Sequence, residues 1–362
     1  MRGKQVEQKV PATWLVYCRH GFERDALAEL EAHAARHGIA VEGHTGEGRA
    51  AITRTDGASI NTLQRAVPLN RLVFARQSLV ALPALTLSRE DRLGPVAERI
   101  DEAGWSFESI WHETPDTNEG KTLARLAKAL TRPLQHKLKK HGALRRKAGG
   151  RRLHLLWISG EAVQPGMSFP GNRSELVGGI RRLRFPARAP SRSTLKLEEA
   201  WHEFVPSDEW DERLADGMQA ADLGAAPGGW TWQLVQRGMH VYAIDNGPMD
   251  KALMATGQVE HLAADGFVWE PPRRLDWLVC DIVDKPSRVL AMMERWLVNR
   301  WCREAIFNLK LPMKQRWETV QQGLDALERS LDEAGVRATV ACRHLYHDRE
   351  EVTVHVRRLD DD

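Results

Sequence analysis

The chain has 362 residues, of which 42% are hydrophobic and 28% are charged. This is ordinary globular composition, and it excludes a fibrous or largely disordered protein. The length exceeds that of one typical domain, so we expect two or three separate cores. The net charge is only +3, and a balance this close to neutral says little about partners.

The sequence offers no candidate membrane segment and no candidate metal site. No apolar run approaches the roughly 20 residues that span a bilayer, and MRGKQVEQKVPATW lacks the apolar core of a signal peptide. Neither the four cysteines nor the 14 histidines show metal-ligand spacing. We therefore expect reduced thiols, a cytoplasmic location and no bound metal. The cysteines are Cys18, Cys280, Cys302 and Cys342.

The first half of the chain alternates between strand and helix patterns. Residues 12–18, ATWLVYC, predict a buried strand, and GFERDALAELEAHAARHG predicts an amphipathic helix closed by Gly38. A second region begins near Leu79 and reaches a further strand at residues 152–160, RLHLLWISG. These patterns indicate an N-terminal α+β region.

One segment of this half is strongly basic. Residues 121–152 contain twelve Lys or Arg and no Asp or Glu, which indicates a polyanion partner. In residues 121–132, KTLARLAKALTR, the leucines fall on one face of a predicted helix and the cations on the other. The Gly-rich stretch from His136 is expected to stay mobile until it meets phosphate. The alternative is a solvated basic surface that binds nothing specific. The candidate RNA contacts are Lys121, Arg125, Lys128, Arg132, Lys139, Lys140, Arg145 and Arg146.

The second half begins after a stretch rich in Pro, Gly and Arg, residues 165–193, which predicts a linker between domains. A helix is expected at residues 196–204. Strand and helix patterns then alternate, which predicts a parallel sheet covered on both faces. The strand patterns are QAADLG, HVYAID, VEHLAA, LDWLVCDIV and REAIFNLKL. VRATVACRHLY and EEVTVHVRR predict a terminal antiparallel hairpin, as expected of class I methyltransferases.

A glycine-rich loop follows the first strand of that sheet. DLGAAPGGW, residues 222–230, lies where ligands bind in open α/β sheets. Gly224, Gly228 and Gly229 would let the backbone approach a ligand closely. The loop matches neither GxGxxG nor GxxxxGK[ST], which argues against NAD and ATP.

Acidic residues follow the next two strands. Asp245, at the end of HVYAID, is placed to accept hydrogen bonds from both hydroxyls of a ribose, and Asp265, in AADGF, is placed to meet an adenine amino group. Either aspartate alone can be a simple turn former. The glycine loop, Asp245 and Asp265 follow three successive strands, and together they predict a cofactor site.

A lysine lies in an apolar strand at the same edge. Lys310 lies near the end of AIFNLKL, and Asp281, near the end of LDWLVCDIV, is a close neighbour expected to orient it. Burial and a second cation, for which Lys196 is the candidate, would lower the pKa of Lys310 toward neutrality. Lys310 would then be a plausible base for a ribose hydroxyl that accepts a methyl group. The alternative is a structural ion pair between Asp281 and Lys310.

At these positions the C-terminal half resembles the FtsJ-like ribose 2′-O-methyltransferases. Their Lys-Asp-Lys-Glu tetrad falls on Lys196, Asp281, Lys310 and Glu351, and DLGAAPGGW is close to their cofactor motif. The resemblance implies a Rossmann-like class I sheet, S-adenosylmethionine as cofactor and Lys310 as proton acceptor. Asp281 and Glu351 would shape the local field, while Lys196 would position the ribose or tune Lys310. Glu350 precedes Glu351, and the family pattern of Glu followed by Val selects Glu351.

The same resemblance implies a cofactor pocket that also includes Ser193. The full set of predicted pocket residues is Ser193, Gly224, Ala226, Pro227, Gly228, Gly229, Asp245, Asp265 and Asp281.

Further motifs extend the resemblance over nearly the whole chain, to a branch of the family that modifies a cytidine of 23S rRNA. They include DNGPM, DGF, WLVN, FNLKLPMK and LYHDREEVTVHVRR. The resemblance implies a ferredoxin-like segment at 1–75, a THUMP RNA-binding domain at 76–170, a linker at 171–190 and the methyltransferase domain at 191–362. The substrate would be naked 23S rRNA or an early precursor particle, and no obligate protein partner is implied.

Two other functions compete with this interpretation. A base-methylating enzyme would need an NPPY-like motif or a catalytic Cys after the fourth strand, and DIVDKP is neither. A noncatalytic RNA-binding or ribosome-assembly factor could carry a vestigial cofactor fold. The intact lysine-aspartate pair and glycine loop argue against that alternative.

Overall fold

A computed structural model describes residues 12–359. The chain divides between residues 180 and 181 into two compact units. This division falls inside the predicted 171–190 linker, whereas the finer domain boundaries remain predictions. Within the described range, no helix is long and apolar enough to cross a bilayer.

The first unit is built on an eight-stranded sheet in the order β2-β3-β1-β4-β8-β7-β6, with β5 paired to β8. Its strands are β1 (Thr13–Tyr17), β2 (Val41–Gly46), β3 (Arg49–Arg54), β4 (Gln77–Ala81), β5 (Leu85–Thr86), β6 (Ser109–Glu113), β7 (Arg152–Ser159) and β8 (Ala162–Ser168). Its helices are α1 (Glu23–Arg36), α2 (Asn61–Ala66), α3 (Gly94–Glu102) and α4 (Asn118–Lys140). The strand at β1 and the helix at α1 lie where the sequence predicts them.

Strand β4 joins the early and late parts of this unit. It pairs antiparallel with β1 on one side and with β8 on the other. The five residues of β4 are buried, as expected for a strand covered on both faces. A buried hydrogen bond of 2.8 Å from the Tyr17 hydroxyl to Glu113 Oε2 ties β1 to β6 as well. The residues before and after position 75 therefore share one sheet.

Helix α4 is longer than the helix that the sequence predicts at residues 121–132. It starts at Asn118 because the preceding Thr117 caps it, its hydroxyl accepting a 3.1 Å hydrogen bond from the Gly120 amide. Pro133 lies inside the helix on its exposed side, and the helix continues to Lys140. The apolar face of α4 joins the core that covers β6 and β7.

The stretch from His136, predicted to be mobile, is instead helical to Lys140 and folded beyond it. The amide of Phe107 donates to the Ala143 carbonyl at 3.0 Å. Glu108 Oε1 accepts from the amides of Ala148 and Gly150 at 2.7 and 3.0 Å. Gly142 and Gly150 thus lie in turns where their amides donate to other groups of the protein.

The second unit contains a seven-stranded sheet in the order β11-β10-β9-β12-β13-β15-β14. Its strands are β9 (Gln219–Leu223), β10 (His240–Ile244), β11 (Val259–Leu262), β12 (Leu275–Cys280), β13 (Cys302–Lys310), β14 (Ala338–Arg343) and β15 (Glu351–Arg358). Its helices are α5 (Thr194–Phe204), α6 (Trp210–Arg213), α7 (Gly229–Gln236), α8 (Lys251–Met254), α9 (Pro286–Val298) and α10 (Arg316–Glu333).

The strands from β9 to β13 are parallel, and β15 runs antiparallel between β13 and β14. Helices α5 and α7 pack on one face of the sheet, where Trp201 meets Trp277 edge to face at 6.5 Å. Helices α9 and α10 pack against each other, and α9 also packs on β13. This is the α/β fold with a terminal antiparallel hairpin that the sequence predicts.

Candidate active site

The carboxyl ends of the parallel strands bring most of the predicted site residues to one edge of the second sheet. Asp281 directly follows β12, Lys310 ends β13, and Glu351 begins β15 at the same edge. Lys310 and Glu351 are direct partners in the β13–β15 register. Because side chains alternate along a strand, Lys310 and Asn308 lie on one face of β13.

Lys196 is the centre of the charged cluster. It lies in the first turn of α5, and its Nζ is 3.0 Å from both carboxylate oxygens of Asp281. The same Nζ is 2.6 Å from Glu351 Oε1. One ammonium group is thus shared by two carboxylates, and all three side chains are largely buried.

Lys310 is placed differently from the prediction. Its ammonium forms no ion pair or hydrogen bond with any residue between 12 and 359, and Asp281 does not orient it. Asp281 instead pairs with Lys196 and accepts a 2.8 Å hydrogen bond from Asn308 Nδ2. The reason is register, since Asn308 occupies the position beside Asp281 and Lys310 lies about 7 Å farther along the strand.

The ion-paired cluster has a definite electrostatic state. Burial lowers the pKa of Lys196, but attraction to Asp281 and Glu351 raises it more, so the pKa lies above its usual value. Burial raises the pKa of Asp281, which Lys196 offsets only in part. Lys196 therefore stays protonated near neutral pH and is not available as a base.

The glycine loop between β9 and α7 is shaped for close approach. Gly224 has φ +78° and Gly228 has φ +116°, conformations that L side chains rarely adopt. A Cβ on Gly228 would lie 2.5 Å from a methyl carbon of Leu253, and one on Gly229 would lie 2.1 Å from the Ser193 hydroxyl. Ser193 directly precedes α5, so the predicted pocket residues of the loop and of this helix start are in contact.

Ala226 and Pro227 complete that loop and are joined by a cis peptide bond. Asp245, after β10, holds the loop by accepting from the Ala226 amide at 3.0 Å, and its other oxygen accepts from the Gly247 amide at 2.7 Å. Asp265 is exposed beyond β11 and accepts from the Phe267 amide at 2.9 Å. Both aspartates thus form turns, and their oxygens keep lone pairs for a ligand.

Asp222 is a site residue that the sequence did not single out, although it begins the motif DLGAAPGGW. It is fully buried, and its Oδ2 accepts a 2.6 Å hydrogen bond from the Thr231 hydroxyl. Its Oδ1 has no hydrogen-bond partner within the described part of the chain. Burial is the main cause that raises the pKa of Asp222 to about 7, with the Thr231 hydrogen bond opposing it and the nearby Asp281 and Asp245 adding to it.

These carboxyl groups and the glycine loop define what the pocket can hold. Asp281 and Asp245 lie close enough to Asp222 to raise its pKa, and these carboxyl groups favour a cationic ligand when they are ionised. No cluster of three or more His, Cys, Asp or Glu side chains among residues 12–359 is arranged to hold a metal ion. The four cysteines are buried.

The predicted RNA-contacting residues lie in the first unit, on α4 and the turn after it. All eight are exposed, and none forms an ion pair with a described residue. They are Lys121, Arg125, Lys128, Arg132, Lys139, Lys140, Arg145 and Arg146. Their charges are therefore available to a polyanion.

Comparison with known families assigns this fold and site to a class. Residues 189–296 match the FtsJ-like methyltransferase model, which makes the second unit an FtsJ-like methyltransferase domain with a Rossmann-type sheet. Residues 12–79 match the RlmM ferredoxin-like domain, and residues 91–169 match the N-terminal model of ribosomal RNA large subunit methyltransferase M. The chain belongs to the ribosomal RNA large subunit methyltransferase M family and is an rRNA methyltransferase.

Full-length relatives carry that name. The protein from Chromohalobacter salexigens is 65% identical, covering 97% of this chain and 99% of its own. The Edwardsiella ictaluri protein is 51% identical, covering 95% and 93% of the two chains, and one from Pseudomonas putida is 46% identical, covering 96% and 98%. The family resemblance and fold class predicted from the sequence are confirmed.

Proposed function

We propose that the protein transfers a methyl group from S-adenosylmethionine to the ribose 2′-oxygen of a cytidine in 23S rRNA. The observation that carries this proposal is that two lysines at one edge of the sheet differ in their ion-pair partners. Lys196 is held by two carboxylates, whereas Lys310 Nζ has no ion-pair partner among residues 12–359, and Lys310 is the cross-strand partner of Glu351.

The cofactor would lie against the glycine loop. Asp245 and Asp265 have acceptor lone pairs for a ribose and an adenine amino group, and the buried carboxyl of Asp222 adds to a field that favours a cation. When bound, S-adenosylmethionine supplies a methyl group on a sulfonium that leaves as a neutral thioether. Ser193 and Gly229 would close the pocket beside α5.

Lys310 is the proposed proton acceptor. As the O–CH₃ bond forms and the S–CH₃ bond breaks, the proton of the 2′-hydroxyl passes to the lone pair of Lys310 Nζ, which has to enter this step as the neutral amine. Lys196 is unsuited to this role because its pKa is raised by Asp281 and Glu351. Its fixed ammonium can instead orient the ribose, and holding both reactants in line removes much of the entropic cost of their meeting.

The basic surface of α4 and its following turn would bind rRNA phosphates, which bind cations without reading sequence. We propose naked 23S rRNA or an early precursor particle as the substrate, and the cytoplasm as the place of action. We also retain as a proposal the division into a ferredoxin-like segment (1–75), a THUMP domain (76–170), a linker (171–190) and the methyltransferase domain (191–362).

The test is methyl transfer from radiolabelled S-adenosylmethionine to protein-free 23S rRNA. We expect one ribose to be labelled, with an alkali-resistant linkage at that position, and the label to vanish in Lys310→Ala while cofactor binding survives. Lys314→Ala is the matched control, because Lys314 is an exposed lysine in the loop just after β13. It should label the same ribose as the native protein.

Other outcomes favour the alternatives. A labelled base, or full activity in Lys310→Ala, would reject the tetrad and favour a base-methylating enzyme. No transfer to protein-free 23S rRNA or to a precursor particle would reject the proposed ribose methylation.

A further inference from the structure

A chain of hydrogen bonds leads from the interior of the second unit to Asp281. Asp348 Oδ2 is 2.9 Å from the Thr353 hydroxyl, and that hydroxyl is 2.8 Å from Asn308 Oδ1. Asn308 Nδ2 donates to Asp281 Oδ1 at 2.8 Å. Asp348, Thr353 and Asn308 are all buried, so water does not compete for these bonds.

The direction of the chain follows from counting protons. The ionised carboxylate of Asp281 can only accept, so Asn308 must turn its amide nitrogen toward it and its oxygen toward Thr353. Thr353 has a single hydroxyl proton, and Asn308 Oδ1 takes it. The contact between Thr353 and Asp348 therefore needs a proton on Asp348.

The surroundings of Asp348 lead to the same state independently. Asp348 is fully buried, its Oδ1 has no hydrogen-bond partner among the described residues, and no cation in that range forms an ion pair with it. An isolated buried carboxylate is very costly. Burial raises the pKa of Asp348 well above its usual value, and the carboxylates of Glu351 and Glu199 raise it further.

We propose that Asp348 is a neutral positioning residue that, through Thr353 and Asn308, fixes the carboxylate of Asp281 in the orientation that holds Lys196. The amide of Leu345 donates to Asp348 Oδ2 at 3.0 Å and holds the acid in place. The effect on methyl transfer rests on the proposed function, because orienting Asp281 matters to the reaction only if the tetrad acts in it. The protonation of Asp348 does not depend on that function.

Paired substitutions test the positioning role. Asp348→Ala removes the donor, and Thr353→Val removes the hydroxyl at nearly constant volume. We expect each to lower kcat about 10- to 100-fold, the effect of weakening a hydrogen bond to a charged group, while KM for S-adenosylmethionine changes by less than about twofold. Asp348→Asn and Thr353→Ser, which keep a donor at these places, should recover most of the lost rate.

A control separates positioning from general loss of packing. Ser330→Ala removes a hydroxyl that donates to Glu294 between α10 and α9, away from the cluster. Its kcat should stay within about twofold of the native value. If Asp348→Asn is as slow as Asp348→Ala, or if Thr353→Val keeps the native kcat, the inference is overturned.

Infrared spectroscopy of the native protein reads the protonation state without any substrate. At pH 7 we expect the absorption band of a protonated carboxyl that is missing in Asp348→Asn, and its absence from the native protein would overturn the inference. Should the native enzyme methylate no ribose, the proposed function fails while this band still decides the state of Asp348. Should Lys310→Ala be inactive and Thr353→Val fully active, the proposed function stands and the positioning role fails.

Discussion

The ammonium of Lys196 lies 3.0 Å from each carboxylate oxygen of Asp281, so the lysine of helix α5 forms the ion pair that the spacing of the strands suggests for Lys310. Lys196 thereby joins helix α5 to Asp281 and Glu351 at the edge of the sheet. Lys310, at the end of β13, forms no ion pair with any residue between 12 and 359. Removing Lys196 should therefore lower the free energy of unfolding more than removing Lys310.

Replacing Lys196 by Ala leaves Asp281 and Glu351 facing each other without a cation. We expect the free energy of unfolding to fall by about 1–3 kcal/mol, below the range for a fully buried pair because the three side chains keep some exposure. Lys310→Ala, which breaks no ion pair, should change it by less than about 0.5 kcal/mol. Urea denaturation at pH 7 measures both, and equal losses would contradict the assignment.

The pH dependence of that difference has a definite sign. The pKa of Lys196 is raised in the folded state, so its stabilising effect is complete below the ordinary lysine pKa of about 10.4. It is lost only as the pH rises through the folded-state value. The gap between native protein and Lys196→Ala should therefore persist at pH 7 to 9 and shrink above about pH 10.

The adjacent glutamates Glu350 and Glu351 form a natural matched pair. Glu351 is buried and contacts Lys196, whereas Glu350 is exposed and forms a 2.8 Å surface ion pair with Arg316. We expect Glu351→Gln to reduce kcat for rRNA methylation about 10- to 100-fold. Glu350→Gln should stay within about twofold, because exposed ion pairs contribute little. The reverse ranking in a steady-state assay would assign the tetrad glutamate to Glu350.

Asp222 gives a second pH prediction. Burial raises its folded-state pKa to about 7, so between about pH 4 and 7 the folded protein holds a proton that the unfolded chain has released. Stability from this group should fall by up to about 4 kcal/mol as the pH rises through that window. The Asp222→Asn variant lacks this loss. From pH 5 to 8 its free energy of unfolding should therefore rise relative to that of the native protein. A constant difference would show that Asp222 titrates in its normal range.

The sequence predicts those parts of the site that are marked by a change in residue type between neighbouring positions. Gly224, Asp245 and Asp281 directly follow strands, and each is marked by an abrupt change from apolar to small or acidic residues. Asp281 pairs with Lys196, which lies on helix α5, 85 positions earlier in the chain. No local sequence pattern indicates that pairing. The same holds for Asp348, which looks like an ordinary loop aspartate until Thr353 and Asn308 are brought beside it.

In the first unit, α4 is longer than the sequence predicts, and the reason is local. Pro133 and the glycines that follow favour an early stop, but the proline lies on the exposed side and the apolar spacing continues to Leu138. Core packing of Leu134 and Leu138 outweighs the helix-breaking signal. The basic face that the sequence predicts is present, and it extends farther along a rigid helix.

That basic face supports a salt-dependence prediction. If Lys139, Lys140, Arg145 and Arg146 bind phosphates, replacing all four by Gln should flatten the plot of log affinity for rRNA against log salt by about 0.7–0.9 for each phosphate that is no longer neutralised. Arg24→Gln with Arg36→Gln is the control, since both arginines are exposed on α1. It should leave the slope near the native value. An unchanged slope in the fourfold variant would remove this surface from the RNA interface.

The shared sheet of the first unit limits how this protein can be divided. A THUMP fragment starting at residue 76 would lose β1, exposing the edge of β4 as a template for aggregation. It would also lose the Tyr17 hydroxyl, which donates a hydrogen bond to the buried carboxylate of Glu113. Moving the proposed RNA-binding domain onto another enzyme therefore requires residues 12–180 as one piece, because the ferredoxin-like part is half of its framework.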